Sequence, residues 1–249
     1  AEDGIRDHCV TGVQTCALPI SRFVVDHRPE KVDEPYCTRI TCGGDRLDYF
    51  GDVTTHTASM ETIKLHSNSV LSTPGAKYCT GDISNMYLMS MLPDSEYVRF
   101  KVDSIPERIF NYYNLKSKVV DGYVYARINK AWYGLKQAGK IAHDDLVEYL
   151  AKHGYVRAGF TDGLFKHKTR DISFTLVVDD FGIKYTSNKD IKHLISGMQL
   201  KFKFKVDFDA KQYIGINLVW DYTQRTVCCS MKDYIKQALT ELKHIPSDS

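Results

Sequence analysis

The stretch "ISFTLVVDDFGIKY", residues 172–185, decides the fold that the sequence predicts. Its two β-rich runs meet at Asp179 and Asp180, which is the pattern of an antiparallel hairpin. Aspartate is a common turn residue, so the pair is explained by the turn alone. The alternative is a metal site, because adjacent carboxylates repel each other and a cation relieves the repulsion. Hard oxygen ligands of this kind suit Mg²⁺.

A third aspartate closes another β-rich run far upstream. The segment "KYCTGDISNMYL", residues 77–88, is predicted to be a strand that ends near Asp82, followed by a helical turn. If this strand lies beside the hairpin, three carboxylates converge at one point. Such a cluster can hold two metal ions and support in-line phosphoryl transfer.

The rest of the chain alternates between strand and helix signals without a regular β-α-β rhythm, which favours an α+β fold. We expect a strand pair over 36–53 that turns at Gly43-Gly44, and an irregular segment over 93–118. Apolar periodicity and alternation predict further elements. The predicted helices cover 54–72, 138–153, the segment after Ser187, and 232–242, and the predicted strands include 122–128, 201–208 and 212–220.

Composition excludes some classes of protein. The chain has 249 residues, is 43% hydrophobic and carries a net charge of +2, which names no nucleic-acid partner by itself. No apolar run approaches the length of a membrane span, about 20 residues, so we expect no membrane association. Beyond residue 20 the cysteines are odd in number and lack C-x-x-C spacing, so they are expected to be reduced intracellular thiols: Cys37, Cys42, Cys79, Cys228 and Cys229.

The first 20 residues, "AEDGIRDHCVTGVQTCALPI", have no helical or strand period. They resemble the in-frame translation of a short-read sequencing adapter, except at His8 and Cys9, where the adapter carries its variable index. A translated scar must be excluded from fold reasoning. We therefore expect residues 1–20 to be a non-native tail that packs against nothing.

Several motifs, in order, resemble the reverse transcriptases of copia-type retrotransposons. "GDISNMYLMSML" (81–92) resembles the first palm motif, D-x-x-N-A-F-L, and "LVVDDFGIKY" (176–185) resembles the Y-V-D-D box. "YGLKQAGKIAHDDL" (133–146) resembles the "LYGLKQAPRAW" block. The segments "QYIGINLVW", "SMKDYIKQAL" and "YCTRITCGGDRLDYFGDV" resemble the family's "FLGIEI", "Q..YI..LL" and fingers segments. The resemblance runs over about residues 22–245 and implies an RNA-directed DNA polymerase, a nucleotidyltransferase with two Mg²⁺ ions, Mn²⁺ being an alternative.

The resemblance assigns roles to individual residues. It implies that Asp82, Asp179 and Asp180 are the catalytic, metal-binding carboxylates, with the backbone carbonyl of Ile83 as a further ligand. The incoming dNTP is expected to meet the side chains of Tyr87, Gln137 and Arg39 and the backbone amides of Asn85 and Met86. For three of these side chains a plainer interpretation stays open: a core tyrosine at 87, an exposed residue at the helix start at 137, and a surface arginine at 39.

Three positions depart from the family pattern. Val177 stands where the family has Tyr, Met86 replaces a small Ala, and Gly139 replaces Pro. None of them is a carboxylate, so the chain is interpreted as a divergent relative with an intact set of aspartates.

The resemblance also implies a right-hand polymerase architecture, with an antiparallel palm sheet and helices on one face. We expect the fingers over 21–58 and 90–140, the palm over 59–89 and 141–230, and the truncated start of a connection or thumb over 231–249. The expected partners are an RNA or DNA template-primer, dNTPs and the RNase H and integrase parts of a polyprotein active in DNA integration, in a cytoplasmic virus-like particle.

Two rival functions remain at this stage. One is an inactive or repurposed retroelement fragment that binds nucleic acid without polymerising. The other is a different palm enzyme, such as a nucleotidyl cyclase, suggested only by the G-G-D in "CGGDRL" (42–47).

Overall fold

The computed structural model describes residues 19–27, 36–44 and 47–242. The chain divides into two compact units. The first comprises Ala1–Thr55 and Tyr87–Asp145, and the second comprises His56–Met86 and Leu146–Ser249. Residues 1–18 of the predicted tail lie outside the described residues.

The described residues form fourteen strands, every ladder of which is antiparallel. In chain order they are β1 (Ser21–His27), β2 (Tyr36–Cys42), β3 (Lys77–Ile83), β4 (Met91–Lys101), β5 (Val119–Val120), β6 (Tyr123–Lys130), β7 (Tyr155–Arg157), β8 (Leu164–His167), β9 (Ile172–Val177), β10 (Asp180–Tyr185), β11 (Phe204–Asp207), β12 (Gln212–Tyr213), β13 (Ile216–Asp221) and β14 (Thr226–Ser230). The α+β class with antiparallel sheets is thereby confirmed.

Five α-helices accompany these strands in the described part of the chain: α1 (Met60–Ser72), α2 (Glu107–Tyr112), α3 (Ala138–Lys152), α4 (Asn188–Gln199) and α5 (Lys232–Glu241). Short 3₁₀ turns cover Met86–Met89, Val102–Ser104 and Leu115–Lys118. The side chain of Ser59 caps α1 by accepting from the Thr62 amide, and that of Ser187 caps α4 by accepting from the Lys189 amide. Gly154, with φ of 86°, follows the end of α3 as predicted.

The first unit contains the hairpin β1-β2 and the three-stranded sheet β4-β6-β5. Two expectations are wrong here. The segment 93–118 was expected to be irregular, but it contains most of β4 and the whole of α2, and the ladder of β4 with β6 is disturbed between Met91 and Glu96. The second strand of the pair expected over 36–53 is absent from the described residues 43–44 and 47–53, and β2 pairs with β1 instead.

Gly44 does not form a hairpin turn. It allows the backbone after β2 to lie close to the backbone at Gly134. A Cβ atom on Gly44 would lie 2.0 Å from the carbonyl oxygen of Gly134. A Cβ on Gly134 would in turn lie 1.9 Å from the carbonyl oxygen of Cys42. Only glycine permits such contact, so this pair fixes where β2 meets the loop before α3.

The end of the predicted tail is not free of contacts. The Arg99 amide donates to the Pro19 carbonyl at 3.1 Å, and the Gly43 amide donates to the Ile20 carbonyl at 3.2 Å. Ile20 also forms an isolated parallel bridge with Arg99. The prediction that residues 19 and 20 pack against nothing is therefore wrong, because β4 is an edge strand and the Arg99 amide on that edge donates to the Pro19 carbonyl.

The second unit is built on a six-stranded sheet with the order β11-β3-β10-β9-β8-β7. Four phenylalanines, one each on β8, β9, β10 and β11, form a buried row on one face that passes over β3, with ring centroids 5.3, 5.0 and 5.1 Å apart: Phe165, Phe174, Phe181 and Phe204. Gly81 leaves room for this row, because a Cβ there would lie 2.4 Å from the Phe204 ring.

Helices lie on both faces of this sheet rather than on one. On the face opposite the phenylalanine row, the ammonium group of Lys184 donates to the carbonyl of Ser69 and to the hydroxyl of Thr73 in α1. On the phenylalanine face, Tyr155 packs against Phe174 and bonds through its hydroxyl to His193 of α4. Each helix covers apolar side chains that the alternation of the strands presents to it.

Candidate active site

The two strands that carry the predicted carboxylates are neighbours in the six-stranded sheet. Asp82, near the end of β3, lies directly opposite Asp180, the first residue of β10. The Ile83 amide donates to the Asp179 carbonyl at 3.1 Å. Asp82 and Asp180 therefore form a pair without hydrogen bonds between them, the kind of pair in which cross-strand side chains approach most closely.

The hairpin loop lies one residue earlier than the sequence predicts. It consists of Val178 and Asp179, since Val177 already pairs with Asp180. Val178 has φ of 57°, a value that is sterically unfavourable for a β-branched residue. The turn that contains Asp179 and precedes Asp180 thus holds a strained backbone in place.

The crowding of negative charge is visible in the titration of Asp180. The pKa of this carboxyl rises from 3.8 to about 6, first because of burial and then because of the charges of Asp179 and Asp82. The three aspartates are therefore close enough to interact through their charges. This interaction is the second observation, after the strand register, that joins them in one site.

Among the described residues, no group of three or more His, Cys, Asp or Glu side chains is arranged as a ligand set for a metal ion. The donor chemistry nevertheless fits a divalent cation. After burial, the repulsion from Asp179 and Asp82 raises the pKa of Asp180, and a bound cation would relieve that repulsion. Convergence of the three carboxyl groups on a shared cation stays a prediction.

A lysine lies beside Asp82 on the neighbouring strand. Lys205 of β11 is the ladder partner of Asp82 on the side opposite Asp180, and its side chain is exposed. The alternation over 201–208 predicts a strand with one buried face, and Phe202 and Phe204 are buried while Lys203 and Lys205 are exposed. What the sequence does not reveal is the register, which sets this particular lysine beside Asp82.

The chain leaves β3 through a turn at the predicted triphosphate site. The Ser84 amide donates to the Lys203 carbonyl at 3.0 Å. Asn85 is exposed and has φ of 56°, whereas Met86 is buried. Asn85 and Met86 follow Asp82 by three and four residues along the chain. The role of their backbone amides stays a prediction.

Tyr87, Gln137 and Arg39 belong to the first unit. Tyr87 is half-buried against the apolar cluster of that unit, and its ring lies 4.8 Å from that of Tyr133. Arg39 is exposed on β2, opposite Val24. Neither observation tests a role in nucleotide binding.

Gln137 is buried immediately before α3, so the alternative of an exposed residue at the helix start is wrong. Its side-chain amide donates from Nε2 to Glu96 Oε1 at 2.9 Å. No donor within the described part of the protein reaches Gln137 Oε1. A buried acceptor left without a partner costs about 1–3 kcal/mol of stability, so this atom calls for a functional explanation.

Comparison with known proteins identifies the family. A family model described as "Reverse transcriptase (RNA-dependent DNA polymerase)" matches residues 46–245. The chain belongs to this reverse transcriptase family. The predicted resemblance to copia-type reverse transcriptases is confirmed by this match together with a relative from Arabidopsis thaliana, the "Retrovirus-related Pol polyprotein from transposon RE2". That relative is 31% identical over 137 residues, which make up 54% of this chain and 9% of the polyprotein.

Among solved structures, the chain is similar to two telomerases. One is the telomerase of Candida albicans in complex with the TWJ fragment of telomeric RNA, with a TM-score of 0.40 and 11% identity, over 80% of this chain and 44% of the telomerase. The other is the apo telomerase of Candida tropicalis truncated from its C-terminal domain, with a TM-score of 0.40 and 13% identity, over 70% of this chain and 40% of the telomerase. The chain therefore spans less than half of these structures and less than a tenth of the polyprotein. Separately, a search of the described helices finds none with the length and apolar character needed to cross a membrane.

Proposed function

We propose that this chain is the polymerase part of a copia-type retrotransposon polyprotein and extends a DNA primer 3′-hydroxyl with dNTPs on an RNA or DNA template. The observation that carries the proposal is the register that sets Asp82 opposite Asp180, with the Asp179 carbonyl bonded to the Ile83 amide. The family match over residues 46–245 supports it.

The proposed cofactor is a pair of Mg²⁺ ions, with Mn²⁺ as an alternative. Asp82, Asp179 and Asp180 would hold them, together with the Ile83 carbonyl. When bound, such ions activate the attacking oxygen and stabilise the charge that develops at the phosphate. Burial raises the pKa of Asp180 first, and the charges of Asp179 and Asp82 raise it further. This second contribution supports the proposal, because bound cations would neutralise those charges.

The chain itself contributes rigidity and charge. The hydrogen bond between Ile83 and Asp179 ties the hairpin loop to the end of β3, so the backbone of the site is fixed before any ligand arrives. Lys205, exposed beside Asp82, adds positive charge where a triphosphate would lie. The nucleotide pocket is proposed to be completed by Tyr87, Gln137 and Arg39 and by the amides of Asn85 and Met86.

We assign the first unit to the fingers and the second unit, up to residue 230, to the palm, with 231–249 as the truncated start of a connection or thumb. The unit boundaries at 55/56, 86/87 and 145/146 lie within a few residues of those expected from the resemblance. We further propose that RNase H and integrase are partners of this chain within one polyprotein, a context that the polyprotein relative supports. A cytoplasmic virus-like particle is proposed as its location from the sequence resemblance alone.

Primer extension on an RNA template with Mg²⁺ tests the proposal. Asp82→Asn and Asp180→Asn should each lower the extension rate by on the order of a hundredfold or more, while binding of the template-primer persists. The control Asp103→Asn changes an exposed carboxylate of the first unit and should leave the rate unchanged. A parent chain that binds template-primer yet extends nothing would favour the alternative, a fragment that binds nucleic acid without polymerising.

A further inference from the structure

The side-chain amide of Gln137, inside the first unit, has a hydrogen-bond partner for only one of its two polar atoms. Its Nε2 donates to Glu96, whereas its Oε1 is buried and meets no donor among the described residues. The backbone of Gln137 is also fixed, because its carbonyl accepts from the Ile141 amide at 3.0 Å in the first turn of α3. The side chain is therefore held in place at one end and presents a single unpaired acceptor at the other.

Glu96 owes its position to an irregularity in β4. The ladder between β4 and β6 pairs Met91 with Lys130 and then resumes at Glu96 and Ile128, so extra residues of β4 lie between the two pairs. Irregularities of this kind redirect side chains and are common beside functional sites. At this position the half-buried carboxylate meets the Gln137 amide across 41 residues of sequence.

The chemistry of the pair decides which way the amide faces. An ionised carboxylate only accepts hydrogen bonds, so the NH₂ group of Gln137 must face Glu96. The carbonyl oxygen must then point away from Glu96. We propose that Glu96 is a positioning residue, which fixes the orientation of the Gln137 amide so that an acceptor oxygen, and not the NH₂ group, meets the incoming nucleotide.

This inference rests on the proposed function, in which Gln137 lines the nucleotide pocket. It adds a chemical condition to that function. The group that Gln137 Oε1 contacts must carry a hydrogen, as a hydroxyl or amino group does, and a phosphate oxygen does not qualify. Without Glu96 the amide is free to turn over and to present its NH₂ group instead.

Steady-state primer extension with Glu96→Met, Glu96→Gln and Gln137→Met tests the inference. Glu96→Met keeps the volume but removes the acceptor, and should raise the KM for dNTP by about tenfold with a smaller change in kcat. Glu96→Gln keeps an acceptor oxygen but adds an NH₂ group, so the Gln137 amide can face it in either orientation. Its KM for dNTP should therefore lie between those of the parent and Glu96→Met. The double variant Glu96→Met with Gln137→Met should be no worse than Gln137→Met alone, since the two side chains act as one unit. Asp94→Met, an exposed carboxylate on the same strand, is the matched control and should have no effect.

A second measurement detects the hydrogen bond between Gln137 and Glu96 and does not depend on polymerase activity. In the parent, one side-chain amide hydrogen of Gln137 should exchange slowly with solvent in an NMR experiment, and in Glu96→Met it should exchange fast. An active parent whose KM for dNTP is unchanged by Glu96→Met would overturn the inference alone. An inactive parent would overturn the proposed function, and amide exchange unaffected by Glu96→Met would then overturn the positioning of Gln137 as well.

Discussion

Asp180 lies directly opposite Asp82 in the ladder between β3 and β10, at a pair without hydrogen bonds. Two carboxylates thus stand side by side at the end of a buried sheet, with Asp179 next to them in the loop. Burial and these two charges raise the pKa of Asp180 from 3.8 to about 6. The site therefore stores electrostatic repulsion in the folded protein.

We predict that Asp180→Asn stabilises the protein at neutral pH while it abolishes polymerisation. Because the folded state raises the pKa of Asp180 to about 6, the folded state is favoured at low pH, and this advantage is lost as the pH rises from about 4 through 6. Asparagine stays neutral, so the variant should gain on the order of 1 kcal/mol at pH 7.5 after allowance for solvent screening, and nothing at pH 4.

Urea unfolding at the two pH values measures the effect, with Asp103→Asn as the control. Equal stability of the parent and Asp180→Asn at pH 7.5 would show that the ionised Asp180, buried beside Asp82 and Asp179, does not destabilise the folded state. In Asp82→Asn, an NMR titration should show a lower pKa for Asp180, since one of the repelling charges is gone.

Val178→Gly should increase stability. An L-residue in the left-handed region costs about 1–2 kcal/mol, and Val178 has φ of 57° with part of its side chain exposed. Glycine removes that strain but loses about 0.5–1 kcal/mol through the greater freedom of the unfolded chain. The net gain is expected to be below about 1 kcal/mol. The control Val219→Gly, on the regular strand β13 and mostly exposed, should lose stability instead, and a loss in both variants would argue against strain at Val178.

Substitution by alanine should lower the stability by different amounts at two glycines that have nearly the same φ. Gly159 has φ of 63° and open space around it, whereas Gly163 has φ of 66° and an added Cβ would lie 2.0 Å from the Ala58 amide nitrogen. That amide donates to the Leu176 carbonyl, and the Leu176 amide donates to the Gly163 carbonyl. Gly163→Ala should therefore cost more than about 3 kcal/mol, and Gly159→Ala about 1–2 kcal/mol. Comparable losses in thermal unfolding would contradict the close approach at Gly163.

The sequence predicted the placement of the aspartates because strand ends are local signals. Alternation and turn residues located the ends of β3 and the hairpin to within a residue, and the family motifs joined them. Residue patterns could not show that β1 pairs with β2, or that β4 is a strand, since Pro93 and three polar neighbours in "PDSE" mask its alternation. Pairings of this kind depend on tertiary contacts, which override local preference.

The same limit applies to the pocket of the first unit. The motif "YGLKQAG" marked Gln137, but its burial and its bond to Glu96 join residues on different elements. Nothing in the local pattern around Glu96 distinguishes it from a solvent-exposed acid on an irregular segment. An interrupted ladder beside a buried amide is visible only once the fold is known.

The last prediction concerns the choice of sugar. In the first unit Tyr87 packs on Tyr133, and an added Cβ on Gly139 would lie 3.5 Å from the Tyr87 hydroxyl, so the ring is supported on one side and unobstructed by a side chain at position 139. In the proposed function the ring lies beneath the sugar of the incoming nucleotide, where it would collide with a 2′-hydroxyl and favour dNTP by repulsion. Tyr87→Val removes the collision without changing a carboxylate. We expect the ratio of kcat/KM for rNTP to that for dNTP to rise by on the order of tenfold or more, with the dependence on Mg²⁺ unchanged.

Primer extension with matched dNTP and rNTP measures the ratio, and Tyr112→Val, an exposed tyrosine of the same unit, is the control. A variant that unfolds at lower temperature but keeps the parental ratio would show that Tyr87 serves only the core, and that sugar selection resides elsewhere.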